Sequence, residues 1–223
     1  MRRVIFPVLL GLFGISVLCG LGIWQVQRLH WKEAMLAEIA ARMAAPPAPL
    51  PATPDPDKDR FRPVTVVGHT TGQELDVLTS TEVLGPGYRI ISGFVTDDGR
   101  KIMVDLGFVP QPNKDQPRPA TPLTVTGNLN WPQEKDSFTP APDASNIWFA
   151  RDVPTMSVAL GTDPVMIVAS ALSPNDLGVT PLPIDSLGIP NNHLQYAITW
   201  FLMALAWAAM TVLLIRRTLR RKD

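Results

Sequence analysis

The sequence predicts an α+β membrane protein in which two transmembrane helices flank a mainly antiparallel β domain, a barrel or a sandwich. Three observations carry this expectation. Two long uncharged apolar runs lie toward the ends of a 223-residue chain. The segment between them alternates polar and apolar residues over short runs, the period of a strand with one buried face. Proline-rich turns separate those runs, as in antiparallel barrels and sandwiches.

The apolar runs come first. Residues 4–24 hold 21 uncharged positions and residues 194–215 hold 22. An α-helix of about 20 residues crosses the roughly 30 Å of bilayer hydrocarbon, so either run can span. Arg2 and Arg3 also resemble the n-region of a signal peptide. The run is longer than an h-region, however, and "WQVQRLHWK" after it offers no small-x-small cleavage site, so a retained helix is expected. Beyond Trp24 the helical pattern continues, with Leu29, Leu36 and Met43 seven residues apart. "APPAPLPATPDPD" ends it, because its prolines favour an extended, semi-rigid spacer. The expected organisation is therefore a short terminus (1–3), helix (4–24), helical extension (25–45), Pro-rich spacer (46–60), β domain (61–192), second helix (193–215) and basic tail (216–223).

A formal net charge of zero conceals a segregation. Between residues 33 and 192 there are 11 Lys/Arg and 19 Asp/Glu, whereas the two ends carry nine Lys/Arg and one acid, Asp223. Nothing in that balance points to nucleic acid. Arg216, Arg217, Arg220, Arg221 and Lys222 follow the second apolar run, while residues 178–192 contain no Lys or Arg. The positive-inside rule then places the C-terminus in the cytoplasm. Two crossings return both termini to that side and leave the central domain outside it. With no Arg- and Ser-rich presequence ahead of the first run, a bacterial inner membrane and a periplasmic domain are expected.

Within the domain, "LTVTGNLNW" (123–131) sets Leu123, Val125, Gly127, Leu129 and Trp131 against Thr124, Thr126, Asn128 and Asn130. "YRIISGFVTD" and "KIMVDLGFVP" are joined by Asp98-Gly99, a strong hairpin signal. Ile102, Val104, Leu106 and Phe108 of the second strand share one face. "RPVTVVGHT", "ELDVLTST", "IWFAR" and "PVMIVAS" are further strand candidates. One short helix is expected from an Asp152 N-cap, with Pro154 in its first turn, to Gly161.

Reactive groups are sparse. The single cysteine, Cys19, lies within the first apolar run and reads as an inert buried thiol. One thiol excludes an internal disulfide, a C-x-x-C redox pair, C-x-x-C-H heme attachment and a dithiolate copper site. Leu18 before it argues against a lipobox. No nucleophile elbow, phosphate loop, zinc motif or dinucleotide fingerprint occurs. His69 reads as a solvated turn residue near a strand end, His30 as an interfacial residue, and Asp97-Asp98 as a hairpin turn. The chain is not expected to be an enzyme.

The membrane boundaries say more. Trp24, Arg28 and Trp31 share a helix face on the first run. His193, Tyr196, Trp200, Ala204 and Trp207 form a stripe on the second. An aromatic belt with snorkelling cations accounts for Trp24, Trp31 and Tyr196. Trp207 fits a belt poorly, because 14 residues at 1.5 Å each put it about 20 Å along the helix from His193. A second reading is a heme site, in which the His193 imidazole ligates iron, the stripe below it forms an apolar wall and Arg28 meets a propionate. Both readings remain open on spacing alone. Gly11, Ser16, Gly20 and Gly22 are the small residues expected to let the second helix approach the first.

These residues also carry a family resemblance. "LGIWQVQRLHWK" (21–32), with Trp24, Gln25, Arg28, Trp31 and Lys32, resembles the first-helix signature of the surfeit locus family of cytochrome c oxidase assembly factors. "GYRIISGF", "VDLGFVP" and "NIWFARD" resemble its domain motifs in order, and "NNHLQYAITWF" (191–201) is similar to its second-helix signature. One departure is "VDLGFVP", where an asparagine-arginine-glycine-tryptophan version is commoner. The resemblance implies a non-catalytic assembly factor that binds heme a as transient cargo. It would receive heme a from heme a synthase and aid its delivery to cytochrome c oxidase subunit I. His193 would be the axial ligand, with Tyr196, Trp200, Trp24 and Arg28 around the macrocycle and membrane lipid beside it. The rival expectation is a scaffold that stabilises an early subunit I intermediate and has no heme site.

Overall fold

Polar alternation and long apolar runs produce two different kinds of packing in the computed structural model, which describes residues 2–184 and 191–220. The side chains of Arg2 and Arg3, residue Asp185 and the tail residues Arg221, Lys222 and Asp223 lie outside that description. The chain forms two compact units, residues 1–38 with 186–223, and residues 39–185.

The first unit is a helical pair. Helix α1 is Arg2–Met43, 42 residues without interruption, and Pro7 sits within it. Its last turn belongs to the second unit. Helix α3 is His193–Arg220. Both are long and apolar enough to cross a membrane, and most of their apolar side chains are exposed, Phe6, Phe13, Leu202 and Leu205 among them. Large apolar side chains facing outward suit hydrocarbon and are unfavourable in water, and so mark a membrane protein.

The second unit is a closed five-stranded barrel. Strand β2 (Pro63–Thr81) pairs antiparallel with β3 (Gly85–Thr96), and β3 with β4 (Lys101–Pro110). Strand β7 (Met166–Ser173) runs parallel to β4 and antiparallel to β5 (Pro122–Asn130). Pairing of β5 with Pro63–His69 of β2 closes the ring. Closure removes the free edges that an open sheet would present to other chains. Two-residue strands β1 (Ala48–Pro49) and β6 (Ile147–Trp148) each add a parallel pairing to β2.

The Asp98-Gly99 hairpin forms as expected, with Gly99 at φ 84°. Helix α2 (Val153–Leu160) takes Asp152 as N-cap, whose carboxylate accepts from the Thr155 N–H at 3.2 Å, and ends on left-handed Gly161. Some expectations need correction. "RPVTVVGHT" and "ELDVLTST" are one strand, interrupted between Thr70 and Glu74 by a register shift around Gly72 at φ 76°. His69 is therefore an exposed residue within β2, paired with Val95 and Pro122, and not a turn residue. Strand "IWFAR" shrinks to Ile147–Trp148, because Arg151 leaves the sheet to bond Glu134 and Asp105.

Strand β4 is buried on both faces, where alternation predicts one. Ile102, Val104 and Leu106 join the core, and Met103, Asp105 and Val109 are buried as well. Helix α2 packs against this strand, and Thr180 bridges Phe108 through hydrogen bonds of 2.7 and 2.9 Å. Gly107, at φ 124°, permits that bridge, since a Cβ there would lie 2.2 Å from the Thr180 carbonyl oxygen. Asp105 is fully buried, its Oδ2 accepting from Arg89 Nε at 2.8 Å and from an Arg151 guanidinium nitrogen at 3.3 Å. Arg89 also donates to the Leu182 carbonyl at 2.6 Å, and Arg151 to Glu134. A buried carboxylate is tolerable only with such partners.

Candidate functional site

The residues singled out at the membrane boundary all fall in the helical pair. Buried and half-buried positions on α1 recur at a mean spacing of about 3.7 residues, through Pro7, Gly11, Gly14, Leu18, Gly22, Gln25 and Leu29. On α3 they run His193, Ala197, Trp200, Ala204, Trp207 and Thr211. Both spacings are close to the roughly 3.6 residues of a helical turn, so each set forms one stripe along its helix and the two stripes meet in a seam. Small residues mark the closest approaches. A Cβ on Gly11 would sit 2.2 Å from Thr211, one on Gly14 2.3 Å from Trp207, and one on Gly22 2.7 Å from Phe201. Gly20 has nothing within 4 Å and Ser16 is exposed, so neither belongs to the seam, contrary to expectation. Gly14, not anticipated, is where the Trp207 indole fits. Cys19 is a free, half-buried thiol.

His193 opens α3 and is half-buried. Its Nδ1 lies 2.8 Å from the Gln25 side-chain oxygen on α1. The opposite ring nitrogen, Nε2, is the one a ligand would use. Trp200 lies two turns further along the seam, half-buried, with Ala197 and Ala204 buried one turn to either side of it. The two alanines are spent on helix packing, so Ala204 is not free to form a wall for a macrocycle. Tyr196 is 55% exposed and Trp24 52% exposed, both on the flanks of the seam. Arg28 is exposed and stacks its guanidinium 4.5 Å from the centre of the Trp31 ring on its own helix, a cation–π contact. His30 lies 3.6 Å from Glu33 and is exposed.

Gln25 is the residue that sequence reasoning left without a role. Its signal was present in the seven-residue spacing of Gly11, Leu18 and Gln25, matched on α3 by His193, Trp200 and Trp207. A polar side chain at that phase of an apolar helix calls for a partner on the facing helix. In the barrel unit, the described residues include no group of three or more His, Cys, Asp or Glu arranged to hold a metal. Asp97 and Asp98 sit in the β3–β4 turn, where Thr96 and then Arg100 hold the Asp98 carboxyl below its usual range.

The SURF1 family profile matches residues 12–205, from the first turns of α1 through the barrel into the first half of α3. The chain belongs to the SURF1 family. Surfeit locus protein 1 of Rattus norvegicus is 32% identical over 91% of this chain and 72% of its own length. The human protein of that name is 30% identical over 90% and 74%. A SURF1-like protein of Rickettsia bellii is 30% identical over 84% and 82%. The SURF1 match includes both members of the Gln25–His193 pair.

Proposed function

We propose that this SURF1 family member is an assembly factor for heme–copper cytochrome c oxidase that binds heme a and aids its delivery to subunit I. One observation carries the reading. At the start of an apolar helix, an imidazole is held by one ring nitrogen in a way that leaves the other directed away from its protein partner. An anchoring residue needs no such arrangement, whereas a metal-ligating histidine is normally oriented through its second nitrogen. His193 would supply the axial ligand. Trp200 would offer an apolar surface beside the iron, with Tyr196 and Trp24 at the edges. Arg28, fixed over Trp31, would meet a propionate at the headgroup level.

The proposed setting is a bacterial inner membrane, with both termini cytoplasmic and the barrel in the periplasm. The proposed partners are heme a synthase, subunit I and the surrounding lipid. A reporter active only in the cytoplasm should work when fused after Asp223 and fail when inserted within residues 46–59. Activity at the internal site would reverse the orientation. For the cargo, the protein purified from cells that make heme a should carry its absorption spectrum. His193→Ala should insert normally and lose most of that pigment, because hydrophobic contact alone leaves the iron position open to water. An unaltered spectrum in the alanine variant would remove the heme site and leave a scaffold for subunit I.

A further inference from the structure

We infer that Gln25 is the positioning residue of this site: its side-chain oxygen selects the tautomer of His193 that can bind iron. The inference rests on the reading of His193 as the ligand. The geometry leads there in two steps. With the Gln25 amide oxygen turned to the ring, 2.8 Å from Nδ1, the bond requires a proton on Nδ1, because an amide oxygen accepts and never donates. In neutral imidazole the second nitrogen then has none. The Nδ1–H bond to Gln25 therefore leaves Nε2 with an in-plane lone pair, the form required for coordination. Free imidazole of histidine in water prefers the opposite tautomer, with its proton on Nε2. The contact with Gln25 reverses that preference before any cargo arrives.

Two features of the surroundings strengthen the contact. Both side chains are half-buried between helices whose neighbouring seam residues, Gly22, Ala197 and Phe201 among them, are apolar, where a hydrogen bond competes with little water. Each also belongs to the repeating seam, so the packing of Gly22 against Phe201, one turn away from Gln25, holds the two backbones in register. The amide is also suited to cargo that must leave. A carboxylate at the same place would draw the Nδ1 proton toward itself and make the ring a stronger electron donor to iron. It would also leave a charge in the seam once the heme departed. A neutral acceptor orients the ring without either effect.

The test begins without heme. Full-length protein in detergent micelles, labelled with ¹⁵N-histidine, should show His193 with a protonated Nδ1 and an unprotonated Nε2. Signals of His30 and His69 are removed by comparison with His193→Ala. Gln25→Leu should return His193 to the Nε2–H form or a mixture, while Gln25→Glu should keep Nδ1 protonated. Heme a is then added. Gln25→Leu should retain it about tenfold less tightly, the lower end of what loss of an outer-sphere partner costs. Gln25→Glu should hold it at least as tightly as the parent chain, with a lower midpoint potential for the bound iron. A wild-type His193 carrying its proton on Nε2, or a tautomer unmoved by Gln25→Leu, overturns the inference and leaves the ligand reading standing. Heme a bound with the same spectrum by His193→Ala overturns both.

Discussion

In the barrel unit a fully buried Asp105 has two guanidinium groups on one carboxylate oxygen, and the strand that carries it is covered on both faces. In the helical pair the closest contacts are made by Gly11, Gly14 and Gly22, and large apolar side chains face outward. The difference follows from the solvent each unit meets. A barrel in water gains by burying apolar area, and it can carry a charge inside if that charge is paired. Helices in hydrocarbon gain nothing from hiding leucine, so they associate through close backbone approach and a few polar contacts. A polar pair in the seam, Gln25 and His193, is thus conspicuous in a way that a buried ion pair in the barrel is not.

The comparison can be broken first at Asp105. Replacing it with alanine leaves Arg89 without its carboxylate partner inside the barrel, and Arg151 with only Glu134. Removing one member of a buried pair costs about 3–5 kcal/mol. Urea unfolding of the full-length chain in detergent, followed by Trp fluorescence, should show a loss of that size. A loss under about 1 kcal/mol would mean the carboxylate is dispensable, as a surface pair would be.

The seam is tested by adding volume. Gly14→Leu forces a side chain into space that the Trp207 indole occupies, and overpacking of this kind costs about 1–3 kcal/mol. Gly20→Leu meets nothing within 4 Å and should be silent. Abundance in membranes and resistance to added protease should fall for the first variant alone. Equal loss from both would place the helix contact elsewhere.

That contrast also separates what the sequence revealed from what it concealed. Spans 4–24 and 194–215 were legible because membrane helices announce themselves by length and lack of charge, and the hairpin by Asp98-Gly99. Small residues alone did not show which side of α1 meets α3, and Gly20 was grouped with Gly11 and Gly22. Only angle separates them: at about 100° per residue Gly22 lies close to the azimuth of Gly11 and Gly20 lies on the opposite side, because a helix face is set by angle and not by residue type. The double burial of β4 was hidden for a different reason. Alternation reports one face of a strand, and the covering of the other by α2 and Thr180 is a tertiary event. His193 was visible as a candidate, but its partner lies 168 residues away in the chain.

A smaller effect belongs to the helix that covers β4. Asp152 accepts the Thr155 N–H and, through the same carboxylate, the Thr155 hydroxyl. Asp152→Ala frees an N–H at the start of α2 and should cost about 1 kcal/mol in the same unfolding experiment. No change at all would show that packing of Val153, Met156 and Leu160 holds the helix without its cap.

The last prediction concerns the exposed end of the barrel's charge network. Burial acts to raise the Glu134 carboxyl, but its hydrogen bonds and charge interaction with Arg151 outweigh that and hold it below its ordinary value of 4.5. Because the folded value is the lower one, the unfolded chain takes up the proton first as pH falls. The stabilisation is therefore complete above about pH 4.5 and disappears as pH drops through the folded value. Glu134→Gln should be less stable than the parent chain at neutral pH, and the two should converge in acid. The side chain is 43% exposed, so solvent screens the pair and the gap should be smaller than that of Asp105→Ala. Arg151 links the two carboxylates, and its burial opposes its charge while Glu134 and Asp105 sustain it. Thermal unfolding of both chains across pH 3–7 decides the matter. A constant gap between them would mean that Glu134 acts through packing and not through its charge.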